Sequence, residues 1–238
     1  MGPEVGLVLG SYLFGSLPVV YLLGRRRGLD LRAVGSRNVG GTNLWQRAGA
    51  VWGLLGGLAD ASKGVLPVLV GKALGIDLAW VVLGGLAGVA GQMWPAFLKF
   101  NGGRGVAAGT GFAFTVGLWQ AMASASFAIV GGILWALPYL RSLRLALSQR
   151  FAFIRPQTHL VPVCMLISFA CLPFLTWASG RETEVVLGCL GLLALIAVRR
   201  VSAELAADVA QGRGLGRRLW HRLLYDRAAD ETPAGIVG

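Results

Sequence analysis

The decapeptide Val34-Gly35-Ser36-Arg37-Asn38-Val39-Gly40-Gly41-Thr42-Asn43 is a polar, glycine-rich island between two long apolar runs. Its three glycines let successive backbone N–H groups turn toward one point, and Ser36, Asn38, Thr42 and Asn43 ring an anion-sized space with short hydrogen-bonding side chains. A second stretch, Phe100-Asn101-Gly102-Gly103-Arg104-Gly105, repeats the chemistry around a cation. The rest of the chain reads as a scaffold that holds these two loops against each other at a membrane surface.

Composition sets the class. Of 238 residues, 55% are hydrophobic, only 14% are charged, and 36 are glycine, which is too little polar surface for a soluble domain of this length. A net charge of +11 would suit nucleic acid, but the cations gather in short segments between apolar runs, as on the cytoplasmic side of a membrane protein. No nucleic-acid partner is therefore expected. Cys164, Cys171 and Cys189 lie within apolar runs and read as small core residues. His159 and His221 are isolated from other ligand types, so no metal site is expected.

The apolar runs give an all-α, polytopic protein with seven transmembrane helices. Residues 5–23 form the first span, and Arg25-Arg26-Arg27 after it place its N-terminus outside. The second covers 49–71, and the third runs from Leu78 to about Leu98, with Pro95 ending or kinking it. Residues 106–140 suit two spans joined by a tight outer turn near Trp119-Gln120. The sixth covers 160–178 and the seventh 185–198. On this count every Lys and Arg except Lys63, Lys72 and Arg181 faces the cytoplasm, which supports the alternation. Residues 1–198 then make the membrane domain and 199–238 a basic cytoplasmic tail. In that tail Leu215, Leu219 and Leu223 face Arg217, Arg218, Arg222 and Arg227 across a helix suited to the headgroup layer.

Both loops fall at cytoplasmic ends of spans, and the second opens a helix at Val106, whose positive dipole end would face a bound anion. Arg104 adds a bidentate donor suited to phosphate, although an ordinary interhelical turn with a positive-inside Arg would look the same. Asp60 and Lys63, three apart on the second span, read first as a mutually neutralising pair that fixes packing near the site, and second as a substrate contact. Trp94, beside Gln92 and Pro95, reads as an interfacial aromatic. Gly53, Gly56, Gly57, Gly84, Gly85 and Gly88 read as close helix-packing positions.

Three segments together carry a resemblance: the Gly35–Asn43 loop, Asp60-Ala61-Ser62-Lys63-Gly64 with Pro67, and Gly91-Gln92-Met93-Trp94-Pro95 continuing to Gly105-Val106-Ala107. In order, spacing and flanking spans over about residues 5–110 they resemble the motifs of the bacterial acyl-phosphate-dependent glycerol-3-phosphate acyltransferases, the PlsY family. The resemblance implies a cytoplasm-facing site in the plasma (inner) membrane that moves a fatty acyl group from acyl phosphate to the 1-hydroxyl of glycerol 3-phosphate. The products are lysophosphatidic acid and phosphate, no metal or other cofactor is required, and the donor phosphate helps deprotonate the acceptor. It implies catalytic roles for Ser36 and Arg104, and substrate binding by Asn38, Thr42, Asn43, Arg47, Gly102, Gly103, Gly105 and Glu204.

The departures from the family pattern are specific. Gln46 stands where the family normally has Arg, with Arg47 one step later; Gln92 replaces the usual His, and Arg104 the usual Lys. The His-Arg-Glu-Asn box after the last span reads Arg199-Arg200-Val201-Ser202-Ala203-Glu204-Leu205, with Glu204 as the retained acid. Three readings stay open from the sequence: this acyltransferase, an acyl-phosphate-dependent enzyme with another acceptor, and a catalytically silent paralogue serving as a membrane subunit or lipid-binding partner of a complex.

Overall fold

A computed structural model describes residues 2–126, 129, 130, 133, 160–203 and 215–225, and among them every regular element is helical. In chain order these are α1 (Pro3–Gly15), α2 (Val19–Arg26), α3 (Gly41–Ala48), α4 (Ala50–Ala73), α5 (Leu78–Met93), a 3-10 turn (Ala96–Leu98) and α6 (Val106–Val116). They continue with α7 (118–126), α8 (Leu160–Ala178), α9 (Thr183–Ser202) and α10 (Leu215–Tyr225). Four helical stretches among the described residues are long and apolar enough to cross a membrane: Pro3–Arg26, Ala50–Ala73, Leu78–Leu98 and Thr183–Ser202. Two shorter apolar helices, Val106–Val116 and Pro162–Ala178, accompany them. The second half of the expected 106–140 hairpin lies outside the described residues.

The first span is not one helix. It breaks between Gly15 and Val19, because Pro18 has no N–H to continue the ladder and disfavours helical backbone at Leu17. The 106–140 stretch also breaks earlier than the turn expected at Trp119-Gln120. Gly117 adopts φ −161°, ψ 82° and ends α6, while Trp119 and Gln120 sit inside the next helix. The expected end of the third span at Pro95 is observed, with α5 stopping at Met93.

Glycine contacts set the packing. Gly15 of α1 rests on the Gly88 backbone of α5, and Gly64 of α4 rests on the backbone of Ala108 and Phe112 in α6, so no side chain fits at either crossing. Phe112 is fully buried in the main apolar cluster with Val68, Val82, Val89, Leu192 and Ile196. This core joins α4, α5, α6 and α9 into one bundle.

The bundle has two chemically different ends. At one, Lys72 Nζ donates to the Thr115 carbonyl (3.2 Å) and Arg181 Nη2 to the Val116 carbonyl (2.8 Å), so the two cations expected on the outer side cap the C-terminus of α6. At the other lie both glycine-rich loops and the end of α9. There Arg200, 1% exposed, donates to the Leu223 carbonyl of α10 and the Pro162 carbonyl of α8, both at 2.9 Å. The tail helix is present as expected, but Arg222 does not share a polar outer face: it is buried, while Trp220 is exposed. Docking of α10 onto α8 and α9 overrides the simple two-faced pattern.

Candidate active site

The first loop is built on Asn43. Its Nδ2 donates to the carbonyls of Leu31 (3.1 Å), Val34 (3.1 Å) and Asn38 (3.0 Å), and three acceptors around one atom fix which end of the amide is nitrogen. Upstream, the Arg32 guanidinium bonds Asp30 and lies 4.6 Å from the Tyr21 ring centroid. The side-chain and backbone hydrogen bonds from Arg32 hold the Asp30 carboxyl below the usual carboxylate range. These contacts fix the approach to the loop, whose backbone is left-handed at Gly35 and Arg37.

Ser36 and Thr42 are exposed, Asn38 is half-buried, and Asn43 is fully buried. The Oδ1 atoms of Asn38 and Asn43 are both buried without a hydrogen-bond partner among the described residues. Arg47 is exposed, yet its Nε and Asn43 Oδ1 both crowd the position a Cβ on Gly35 would take. Arg47 therefore does reach the loop, from the turn of α3 above it. Glu204 lies outside the described residues.

In the second loop the three glycines are held by hydrogen bonds from two sides. The Gly102 N–H donates to the Met93 carbonyl (3.3 Å), the Gly103 N–H to the Gln92 carbonyl (3.1 Å), and the Gly105 N–H to Gln92 Oε1 (3.0 Å). Arg199 closes the other side, its Nη2 donating to the Gly102 carbonyl (2.8 Å) and its Nε to the Gly103 carbonyl (2.9 Å). The Arg199 guanidinium lies 5.8 Å from the Trp94 ring centroid, so Trp94 also gives it a platform. Gly102, Gly103 and Gly105 are buried, and Arg104 between them is half-buried.

The loops touch. A Cβ on Gly103 would stand 2.8 Å from the Val39 carbonyl oxygen, a closeness that only glycine permits. At this junction a small cleft is lined by Val39, Gly102 and Gly103, by Leu17, Pro18 and Val20 from the α1–α2 break, and by Asp60, Lys63 and Gln92. Lys63 Nζ and Asp60 Oδ1 form the expected pair at 3.0 Å, and Gln92 Nε2 donates to Asp60 Oδ2 at 3.1 Å. Among the residues singled out for the site, the cleft lining contains Gly102 and Gly103; it also contains Gln92, whose structural role the sequence reading missed. A residue able to donate and accept at once, sitting just before a Pro-terminated helix end and a glycine loop, was the available signal.

Both loops run directly into helices, α3 after Gly40 and α6 after Gly105, and neither start has a side-chain cap. Uncapped first-turn N–H groups and the positive dipole end suit an anion. The irregular backbone before α6 is satisfied by protein, through Gln92, Met93 and Arg199.

The profile of the family described as "Glycerol-3-phosphate acyltransferase" matches residues 5–205. The chain belongs to the glycerol-3-phosphate acyltransferase family. A member from Geotalea daltonii is 32% identical over 170 residues, covering 71% of this chain and 88% of the relative. "Glycerol-3-phosphate acyltransferase 5" of Dehalococcoides mccartyi is 41% identical over 128 residues, covering 53% of this chain and 55% of the relative. Against that relative, as against the one from Rubrobacter xylanophilus (49% identity over 109 residues, 45% of this chain, 54% of the relative), the match spans about half the relative's length. Two crystal structures of PlsY, an integral membrane glycerol 3-phosphate acyltransferase, share the fold. The glycerol 3-phosphate form aligns with a TM-score of 0.68 at 30% identity over 89% of this chain and 94% of the other. The lysophosphatidic acid form gives 0.67 at 29% over the same shares. The family fold is thus a multi-pass membrane protein.

Proposed function

We propose that this chain transfers a fatty acyl group from acyl phosphate to the 1-hydroxyl of glycerol 3-phosphate, releasing lysophosphatidic acid and phosphate. The observation that carries the reading is the meeting of two glycine-rich loops, each feeding an uncapped helix start, at one end of an apolar bundle. Two anionic substrates need such donors close together, and a mixed anhydride needs positioning and charge stabilisation more than a strong base. Arg104 and Ser36 act on the transferring group in this reading, while Asn38, Thr42, Asn43, Arg47 and the glycines 102, 103 and 105 shape the binding space.

The acyl chain leaves the site toward the lipid between helices, and the loop end of the bundle faces the cytoplasm in the plasma membrane, with the N-terminus outside.

A second reading keeps the donor and changes the acceptor. Arg199 and Arg200 occupy the place of the family's tail box, and both guanidinium groups bond backbone carbonyls of this chain. Protein purified in detergent and given acyl phosphate with glycerol 3-phosphate, with glycerol, or with another polyol phosphate separates the readings. Phosphate release dependent on glycerol 3-phosphate supports the first. Release dependent only on another acceptor supports the second. No release with any of them defeats both. On the first reading Ser36→Ala and Arg104→Ala each lower turnover at least tenfold while the protein still inserts; full activity in either removes that residue from the site.

A further inference from the structure

Gln92 makes two bonds to the second loop, one on each side of Arg104. Its backbone carbonyl accepts from the Gly103 N–H at 3.1 Å, and its side-chain Oε1 accepts from the Gly105 N–H at 3.0 Å. The residues before and after Arg104 are therefore tied to a single point on α5. The side chain has no choice of orientation, because the Gly105 N–H can only donate and so takes Oε1, leaving Nε2 for Asp60 Oδ2 at 3.1 Å. Asp60 is itself held by Lys63 Nζ at 3.0 Å on its other oxygen. All three side chains are at least 94% buried, at 2%, 4% and 6% exposure for Asp60, Lys63 and Gln92, where a misdirected polar group is costly.

We propose that Gln92 is a positioning residue for Arg104: locked by the Asp60–Lys63 pair, its carboxamide brackets the loop so that the Arg104 guanidinium is presented to the phosphate of the substrate. This rests on the acyltransfer reading for what Arg104 does, but not for where the bracket lies. Gly105 is left-handed at φ 77° and starts α6, so a lost bond to its N–H frees both the loop and the first turn of the helix. The chemistry required at position 92 is one donor toward Asp60 and one acceptor toward Gly105. A neutral imidazole has that pair of atoms; a thioether of similar length has neither a donor nor a strong acceptor.

The test compares Gln92→Met, Gln92→His, Arg104→Ala and the double variant Gln92→Met/Arg104→Ala, all purified in detergent. Hydrogen exchange of a peptide covering residues 100–106 should speed up in Gln92→Met and return near the parent rate in Gln92→His, with a peptide from α8 unchanged as the check on folding. In acyl transfer, Gln92→Met should lose at least tenfold in kcat/KM, and Gln92→His should recover to within about threefold of the parent, by the order of effect that a positioned group carries. In the Arg104→Ala background the Met substitution should cost less than twofold more, because its effect passes through a residue no longer there. Multiplying losses in the double variant, or unchanged exchange of 100–106 in Gln92→Met, overturns the proposal. A parent protein with no acyl transfer defeats the functional reading alone, since the exchange measurement still decides whether the bracket exists.

Discussion

The Nδ2 of Asn43 reaches three carbonyls, those of Leu31, Val34 and Asn38, from a side chain that is 1% exposed. Replacing it by an isosteric acceptor is the sharpest probe of the first loop. Asn43→Asp turns an oxygen toward three oxygens and should destabilise the protein by about 1–3 kcal/mol, seen as a lower midpoint of thermal unfolding in detergent. Exposed Thr42, changed to Ala, should stay within about 0.5 kcal/mol in the same assay. Asp30 gives a pH test of the approach to that loop. Its folded pKa is depressed by Arg32, so its contribution is present above the unfolded value and fades as pH falls through the folded one. Asp30→Asn should lower the unfolding midpoint slightly at neutral pH, and the difference should begin to shrink as pH falls below about 4 and vanish once pH is below the depressed folded value. A difference that grows in acid would refute the assignment.

At the scale of helices, the crossing of α4 and α6 is decided by Gly64, whose Cβ position is already filled by backbone of Ala108 and Phe112. Backbone cannot rotate aside, so Gly64→Ala should cost about 1–3 kcal/mol through overpacking. Gly57, on the same helix, has open space where its side chain would be, and Gly57→Ala should raise stability by about 0.5–1 kcal/mol through helix propensity. Opposite signs in one thermal-unfolding experiment would separate packing glycines from incidental ones. Here the limits of reading a sequence are physical. Span positions were legible because length and hydropathy are local properties, and α4, α5, α8 and α9 fall close to where the runs placed them. Pro18 was visible, but a total count of apolar residues passed over the break it causes. Arg199 had no such signal: it lies 96 residues from the Gly103 carbonyl it binds, and contact across that separation leaves no period or spacing in the chain. The bond from Gln92 to Asp60, 32 residues away, likewise left no spacing to read, although the place of Gln92 before Pro95 and the glycine loop marked it locally.

For the molecule as a whole, the arrangement of charges distinguishes the two ends of the bundle. Lys72 and Arg181 gather at the end where α6 finishes, and they are bound to its carbonyls. The opposite end collects Arg25, Arg26 and Arg27 after the first span, both glycine-rich loops, and Arg199 and Arg200 with the docked tail helix. By the positive-inside rule we propose that the richer end faces the cytoplasm. With Arg104 in the role proposed for it, cytoplasmic substrates then reach it without crossing the lipid. In a background with Cys164, Cys171 and Cys189 replaced by Ala, single cysteines at exposed Ser36 and exposed Gly75 should behave oppositely. In intact cells a membrane-impermeant maleimide should label Gly75→Cys and leave Ser36→Cys untouched; in inverted vesicles the pattern should reverse. Prior addition of glycerol 3-phosphate should slow labelling of Ser36→Cys in those vesicles and leave Arg32→Cys, exposed outside the loop, at its original rate. Labelling of Ser36→Cys in intact cells would put the loop end outside and overturn the proposed orientation.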